Sequence, residues 1–161
     1  MQPPADLGLL AFDYDGVFTD GVIHLMPDGS EVRTAHIRDG YAVVRAVEAG
    51  LQLAVISGGR DEAVRMRLQR LGISEVHLGV RDKLEVLNGL REAAGLTWGQ
   101  VGYCGDDLPD VSAISAAGWS ACPADAVEEV RRAVTSVGVC AGGKGFVREV
   151  LEEVLRVRGI W

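Results

Sequence analysis

The sequence predicts an α/β fold: a three-layer Rossmann-like domain with a central parallel sheet and a β-hairpin inserted after the first strand. Short apolar runs alternate with amphipathic helices along the whole chain, as strands do when crossover helices wind them into a sheet. Two of those runs end in clusters of aspartate, and ligands gather at the carboxyl ends of such strands. A chain of 161 residues has the size of one domain and buries enough surface for a full core. Residues 1–161 are therefore expected to form a single domain.

Leu7–Phe12 reads as the first buried strand, and Leu51–Ile56, Val76–Leu78, Val101–Cys104, Trp119–Cys122 and Val137–Cys140 read as later ones. Asp39 is placed to cap a helix from Gly40 to Ala49 that stops at Gly50, and Asp61 to cap one from Glu62 to Leu71 that stops at Gly72. Asp82 and Gly95 bracket the next helix in the same way. Between the first strand and first helix, GVIHLMPDGSEVRTAHI has two stretches with some alternation around Pro27, Asp28, Gly29 and Ser30, which reads as a hairpin over about residues 20–38. A hairpin placed there projects from the carboxyl edge of the sheet, where it covers the site or pairs with another subunit.

The 16 Lys and Arg against 23 Asp and Glu leave a net charge of −7, the wrong sign for a nucleic-acid or anionic-membrane surface. No apolar run approaches the ~20 residues that cross a bilayer. MQPPADLGLLAF has neither a basic region nor a small-residue cleavage site, so the expected location is cytoplasmic. Cys104, Cys122 and Cys140 form no CxxC pair and are expected reduced and buried in strands. His24, His36 and His77 fall in predicted strands and make no ligand cluster. Trp98, Trp119 and Trp161 read as packing residues, while Arg131 and Arg132 read as solvated partners of Glu128.

The chemistry concentrates elsewhere. In AFDYDGVFTDG a buried strand ends in Asp13 and Asp15, two carboxylates at i and i+2 that repel each other unless a shared proton or a hard cation such as Mg²⁺ joins them. YCGDDLPD places Asp106, Asp107 and Asp110 after another buried strand, beside the first pair in a parallel sheet. So many converging acids signal a metal site, because the local cost is one that proteins keep at functional centres. Ser57 in AVISGGR and Lys83 in GVRDKLEV supply a hydroxyl and a positive charge for phosphate. GVCAGGKG fits a P-loop up to its lysine, but Gly145 follows where a hydroxyl is needed for Mg²⁺.

The order DYDGVFTDG, ISG, DK and GDDLPD resembles the four motifs of the haloacid dehalogenase phosphatase superfamily over almost the whole chain. RDGYAV, the PADA around Asp125 and GGKGFVREV resemble its small capless branch, which contains the 3-deoxy-D-manno-octulosonate 8-phosphate phosphatases. The resemblance implies Asp13 as nucleophile, Asp15 as general acid and base, Ser57 and Lys83 as phosphate holders, and a Mg²⁺ site at Asp13, Asp15 and Asp106 supported by Asp107 and Asp110. It also implies a homotetramer in which hairpins pack together, with Val22, Ile23, Leu25 and Met26 as the apolar surface.

The implied substrate is a 2-keto-3-deoxy sugar acid phosphate, foremost 3-deoxy-D-manno-octulosonate 8-phosphate of lipopolysaccharide biosynthesis. A nonulosonate 9-phosphate is the alternative. The residue after ISG is typically Arg in the first class and Glu in a relative of the second, whereas here it is Gly59. A glycine there leaves a larger pocket and predicts broader tolerance of chain length. Arg60 follows, either facing a sugar carboxylate or lying solvated; Gly58, Arg33, Thr34, His36 and Arg38 are the further substrate-binding candidates. A phospho-receiver would retain its phosphate, which an acid and base at Asp15 opposes. A catalytically idle oligomerisation domain would have lost Asp13, Asp15 or Lys83, and it has lost none.

Overall fold

The computed structural model describes residues 1–161. Its strands are β1 (Leu9–Phe12), β2 (His24–Leu25), β3 (Glu31–Val32), β4 (Gln52–Ile56), β5 (Glu75–His77), β6 (Val101–Cys104), β7 (Trp119–Cys122) and β8 (Ser136–Val137). Its helices are α1 (Ile37–Glu48), α2 (Glu62–Arg70), α3 (Lys83–Ala93), α4 (Val111–Ala116), α5 (Glu128–Ala133) and α6 (Phe146–Val157). Six strands make one parallel sheet in the order β5-β4-β1-β6-β7-β8. The chain winds outward from β1 through β4 to β5, then restarts on the other side at β6. That reversal opens a crevice at the carboxyl ends of β1 and β6, where open α/β sheets bind ligands.

Alternation along β1 divides the core into two layers. Leu10 and Phe12 pack with Val43, Leu68, Val150 and Leu151 of α1, α2 and α6. Leu9 and Ala11 pack with Leu87, Ile114 and Val130 of α3, α4 and α5. Successive side chains leave a strand on opposite faces, so both sides must be apolar and both must be covered. In α6 the buried residues Phe146, Val147, Val150, Leu151, Val154 and Leu155 recur at helical spacing, forming the stripe that docks it.

The hairpin forms as expected. β2 pairs antiparallel with β3 through His24 opposite Val32 and Leu25 opposite Glu31. Asp28 Oδ1 closes the turn by accepting from the amide and hydroxyl of Ser30 at 2.9 and 2.7 Å. Asp61 and Asp82 cap α2 and α3 by accepting from the amides of Ala63 and Glu85.

Four local expectations are corrected. Asp39 does not cap its own helix, which starts at Ile37 with His36 as N-cap; its buried carboxylate accepts from the amide of Arg148 at 2.9 Å and caps α6 instead. His36 accordingly lies at a helix start, not in a strand. The last strand ends at Val137, because the amides of Val139 and Cys140 turn away to the carboxylate of Glu149 at 2.9 Å each. Cys140 is therefore outside the sheet and only half-buried, while Cys104 and Cys122 are buried at strand ends. No helix is long and apolar enough to cross a membrane.

Candidate active site

β1 delivers Asp13 to the crevice, and the amide of Asp13 still donates to the carbonyl of Cys104 on β6 at 2.8 Å. The chain then turns sharply: the carbonyl of Tyr14 accepts from the amides of Phe18 and Thr19 at 2.9 and 3.2 Å. Gly16 adopts φ +83°, and a Cβ there would stand 2.0 Å from Asp106 Oδ2. Only glycine lets the turn pass so close to that carboxylate. The fully buried hydroxyl of Thr19 accepts from the amides of Gly16 and Gly21 at 3.2 Å each and donates to Asp15 Oδ1 at 3.3 Å.

The second acidic cluster is built around Asp110. Its Oδ1 accepts from Lys83 Nζ and from the Tyr103 hydroxyl, both at 2.7 Å, and its Oδ2 accepts from the amides of Asp106 and Asp107 at 3.2 and 3.3 Å. Every acceptor position of Asp110 that faces the protein is engaged, so it organises the others. Lys83, buried at the start of α3, also lies 2.9 Å from Asp13 Oδ1 as an ion pair. Burial opposes its charge, but the carboxylates of Asp13 and Asp110 outweigh that and hold its pKa above the ordinary lysine value.

One oxygen remains without any partner, the buried Asp106 Oδ1, while Asp13 Oδ1 is met by Lys83 alone. Ligand oxygens of Asp13, Asp106 and Asp110 all lie within 4.8 Å of one another. Burial, followed by the charge of Asp110, raises the pKa of Asp13 to about 6. Burial, followed by the charges of Asp13, Asp110 and Asp107, raises that of Asp106 to about 7. Close carboxylates in a dry site resist ionising together until a cation joins them.

Asp15 stands outside this group, with its Oδ1 accepting from Arg33 Nε at 2.9 Å. It shares with Asp13, Ser57, Lys83, Asp106, Asp107 and Asp110 the lining of one cavity of about 550 Å³. The Ser57 hydroxyl, buried at the end of β4, accepts from the amide of Gly59 at 3.1 Å, and both glycines of that loop, Gly58 and Gly59, reach the cavity.

The other substrate-binding candidates do not line this cavity. Arg33 is nearly buried between Asp15, Glu31 and Asp61. His36 and Arg38 face a separate cavity beside α6, Arg60 faces another with Glu31 and Glu62, and Thr34, just past β3, is exposed.

Sequence reasoning passed over Thr19, Tyr103, Arg81 and the pairing of Asp125 with the glycine-rich turn. Thr19 and Arg81 were within reach, since each sits inside a motif already singled out. Arg81 lines the cavity. The turn's glycines serve packing: a Cβ on Gly142 would lie 1.9 Å from the carbonyl oxygen of Gly16, and the Gly142 amide donates to Asp125 Oδ1 at 2.9 Å. Its lysine, Lys144, pairs with Asp20 at the surface.

No model of a protein family matches the chain, but individual relatives do. A 3-deoxy-D-manno-octulosonate 8-phosphate phosphatase of Haemophilus influenzae is 38% identical over 147 residues, covering 91% of this chain and 82% of the relative. The crystal structure of such a phosphatase from Moraxella catarrhalis, in complex with magnesium, phosphate and KDO, superposes with a TM-score of 0.93 at 34% identity over 96% of this chain and 89% of that one. The cobalt-bound Haemophilus influenzae enzyme superposes with a TM-score of 0.92 at 36% identity over 96% and 91% of the two chains. The chain is thus a phosphoric monoester hydrolase of the haloacid dehalogenase superfamily, and it belongs to the family of the 3-deoxy-D-manno-octulosonate 8-phosphate phosphatases.

Proposed function

We propose that this enzyme hydrolyses 3-deoxy-D-manno-octulosonate 8-phosphate with Mg²⁺ as cofactor, through an aspartyl-phosphate on Asp13. The observation that carries the reading is the close grouping of carboxylate oxygens from Asp13, Asp106 and Asp110, in which Asp106 Oδ1 has no partner and Asp13 Oδ1 has only the buried Lys83. Such oxygens are hard donors, and Mg²⁺ takes one or two carboxylates while keeping water and a substrate phosphate. Asp13 and Asp106 would hold it. Asp15, expected among the ligands, offers no carboxylate oxygen to that group and is kept for proton transfer. When bound, the cation lowers the repulsion between Asp13 and an incoming phosphate.

The chain's own groups then divide the work. Asp13 attacks phosphorus as the bond to the sugar oxygen breaks, which splits hydrolysis into two easier steps. Lys83 and Ser57 steady the charge on the transferring group. Asp15 protonates the departing alkoxide and later takes a proton from the water that attacks the aspartyl-phosphate, freeing phosphate and Asp13. Thr19 and Arg33 fix the direction of the Asp15 carboxylate. Gly59 leaves space at this point: a Cβ would only touch Asp15 Oδ2 and Ser57 Oγ at 3.4 Å, so the cavity is wider here than a side chain would leave it.

Residues 1–161 act as one catalytic domain in this reading, and four copies join through their hairpins. Val22, Ile23, Leu25 and Met26 stand exposed there, Leu25 at 78%, an apolar surface that a partner would cover. A homotetramer in sedimentation at micromolar concentration is expected, and a monomer contradicts it. The reading places the enzyme at a cytoplasmic step in lipopolysaccharide synthesis, and the net charge of −7 opposes a nucleic-acid or anionic-membrane partner.

The functional test is a panel of phosphate-release rates on octulosonate 8-phosphate, nonulosonate 9-phosphates and neutral hexose phosphates. The octulosonate 8-phosphate is expected to give the highest kcat/KM. A higher value for a nonulosonate 9-phosphate shifts the assignment to that substrate, and equal or higher values for hexose phosphates overturn it.

A further inference from the structure

The catalytic cavity is lined by five carboxylates, Asp13, Asp15, Asp106, Asp107 and Asp110, and by two cations, Lys83 and Arg81. Lys83 is buried and committed to Asp13 and Asp110. Arg81 is exposed, and its guanidinium makes no hydrogen bond or ion pair within the chain. It is the one cation of this cavity free to meet an anion that enters.

Its position is held by backbone. The amide of Gly79 donates to the carbonyl of Gly59 at 2.7 Å, and that of Val80 to the carbonyl of Ser57 at 3.0 Å. The loop carrying Arg81 is thereby fastened to the loop that presents the Ser57 hydroxyl, and Lys83 follows two residues later. Arg60 does not compete for this place. Its side chain lies along Gly79, where a Cβ would approach its Nε to 3.1 Å, and it faces the cavity shared with Glu31, Asp61 and Glu62.

A sugar acid phosphate brings a second anion besides its phosphate. Once Lys83 and Ser57 are occupied by the phosphate, a sugar carboxylate entering this acidic cavity needs its own cation, and a guanidinium can hold it with two parallel hydrogen bonds. Resting on the substrate class proposed above, we propose that Arg81 binds the carboxylate of the sugar acid and sets the preference for acidic over neutral sugar phosphates. It is a specificity residue and takes no part in bond breaking.

The test compares kcat/KM for 3-deoxy-D-manno-octulosonate 8-phosphate and glucose 6-phosphate in the Mg²⁺-loaded parent, Arg81→Ala, Arg81→Lys and Arg60→Ala. In Arg81→Ala the ratio of the two constants is expected to fall about ten- to hundredfold, the range for one charge-assisted contact, mainly through KM for the acid. Arg81→Lys restores part of the ratio, and Arg60→Ala leaves it in place. Competitive inhibition by the free sugar acid gives a readout independent of turnover: its Ki should rise in Arg81→Ala by a similar factor. An unchanged ratio and Ki, an equal loss on both substrates, or transfer of the effect to Arg60→Ala overturns the assignment. A parent with no preference for the acid overturns the substrate reading itself, and the role of Arg81 with it.

Discussion

Two cavities of similar size, about 550 and 500 Å³, open on this molecule, and they handle charge in opposite ways. The one beside α6 mixes Arg38, Lys144, Arg148 and Arg156 with Glu149, Glu152 and Glu153. Most of these groups answer one another: Arg148 and Arg156 bind Glu152, Arg156 also binds Glu153, and Glu149 accepts from the amides of Val139 and Cys140. His36 Nδ1 is the buried atom left over. The cavity at the ends of β1 and β6 gathers acids of one sign, supplies them with one buried lysine that pairs with Asp13 and Asp110, and leaves Asp106 Oδ1 without a donor. Size does not distinguish a reactive site from a surface cleft here. Charge left for a ligand to complete does.

The largest expected contrast is catalytic. Asp13→Asn keeps the side-chain volume and removes the proposed nucleophile, so phosphate release should fall at least about a thousandfold. The thermal midpoint should not drop, because a charge opposed by burial and by Asp110 has gone. A variant that retains parental turnover of p-nitrophenyl phosphate would remove Asp13 from the chemistry.

Stability should separate the two cavities next. Lys83→Met strands two buried carboxylates and is expected to cost about 3–5 kcal/mol in urea unfolding. Arg156→Met breaks pairs that are half exposed and should cost less than about 1 kcal/mol. Comparable losses would erase the distinction between committed and spare charge.

A smaller effect follows from the raised carboxyl values near 6 for Asp13 and 7 for Asp106 in the metal-free protein. A group whose folded pKa exceeds its unfolded value lends stability below the unfolded pKa and loses it as pH rises through the folded one. Metal-free protein should therefore melt at lower temperature as pH climbs from about 4 to about 7. Mg²⁺ binds the deprotonated acids, so the rise in Tm that it causes should be larger at about pH 8 than at about pH 5. An increment of equal size at both would detach the metal from these two residues. EDTA should stop phosphate release and added Mg²⁺ should restore it.

What the chain disclosed before folding follows the same division. The strand ends carrying Asp13 and Asp106 were legible because the signal is local: an apolar run stops, acids begin, and the sheet does the rest. The caps at Asp61 and Asp82 were legible for the same reason. Asp39 was misread because the capping rule is equally local, while its partner, the amide of Arg148, lies 109 residues away. Val137–Cys140 kept the composition of a strand, yet Glu149 captured its amides from a helix further on. Arg33 is a substrate-binding candidate from its place on the hairpin, and its contact with Asp15 becomes visible only in the fold. Asp110, ranked as a supporting acid, is the group that ties Lys83, Tyr103 and two backbone amides together. Residue types announced the reaction; which oxygen stays unpartnered was a matter of tertiary geometry.

The proposed mechanism assigns the attack to one carboxylate among five, and a trapping experiment reads that assignment directly. Enzyme turning over its substrate with Mg²⁺ is quenched in acid, reduced with borohydride and digested, so that any aspartyl-phosphate is converted to homoserine at its position in the chain. Homoserine is expected at position 13, dependent on substrate and Mg²⁺ and absent from Asp13→Asn. Its appearance at Asp15, Asp106 or Asp110, or its absence from all of them during turnover, would contradict the assignment of Asp13 as nucleophile.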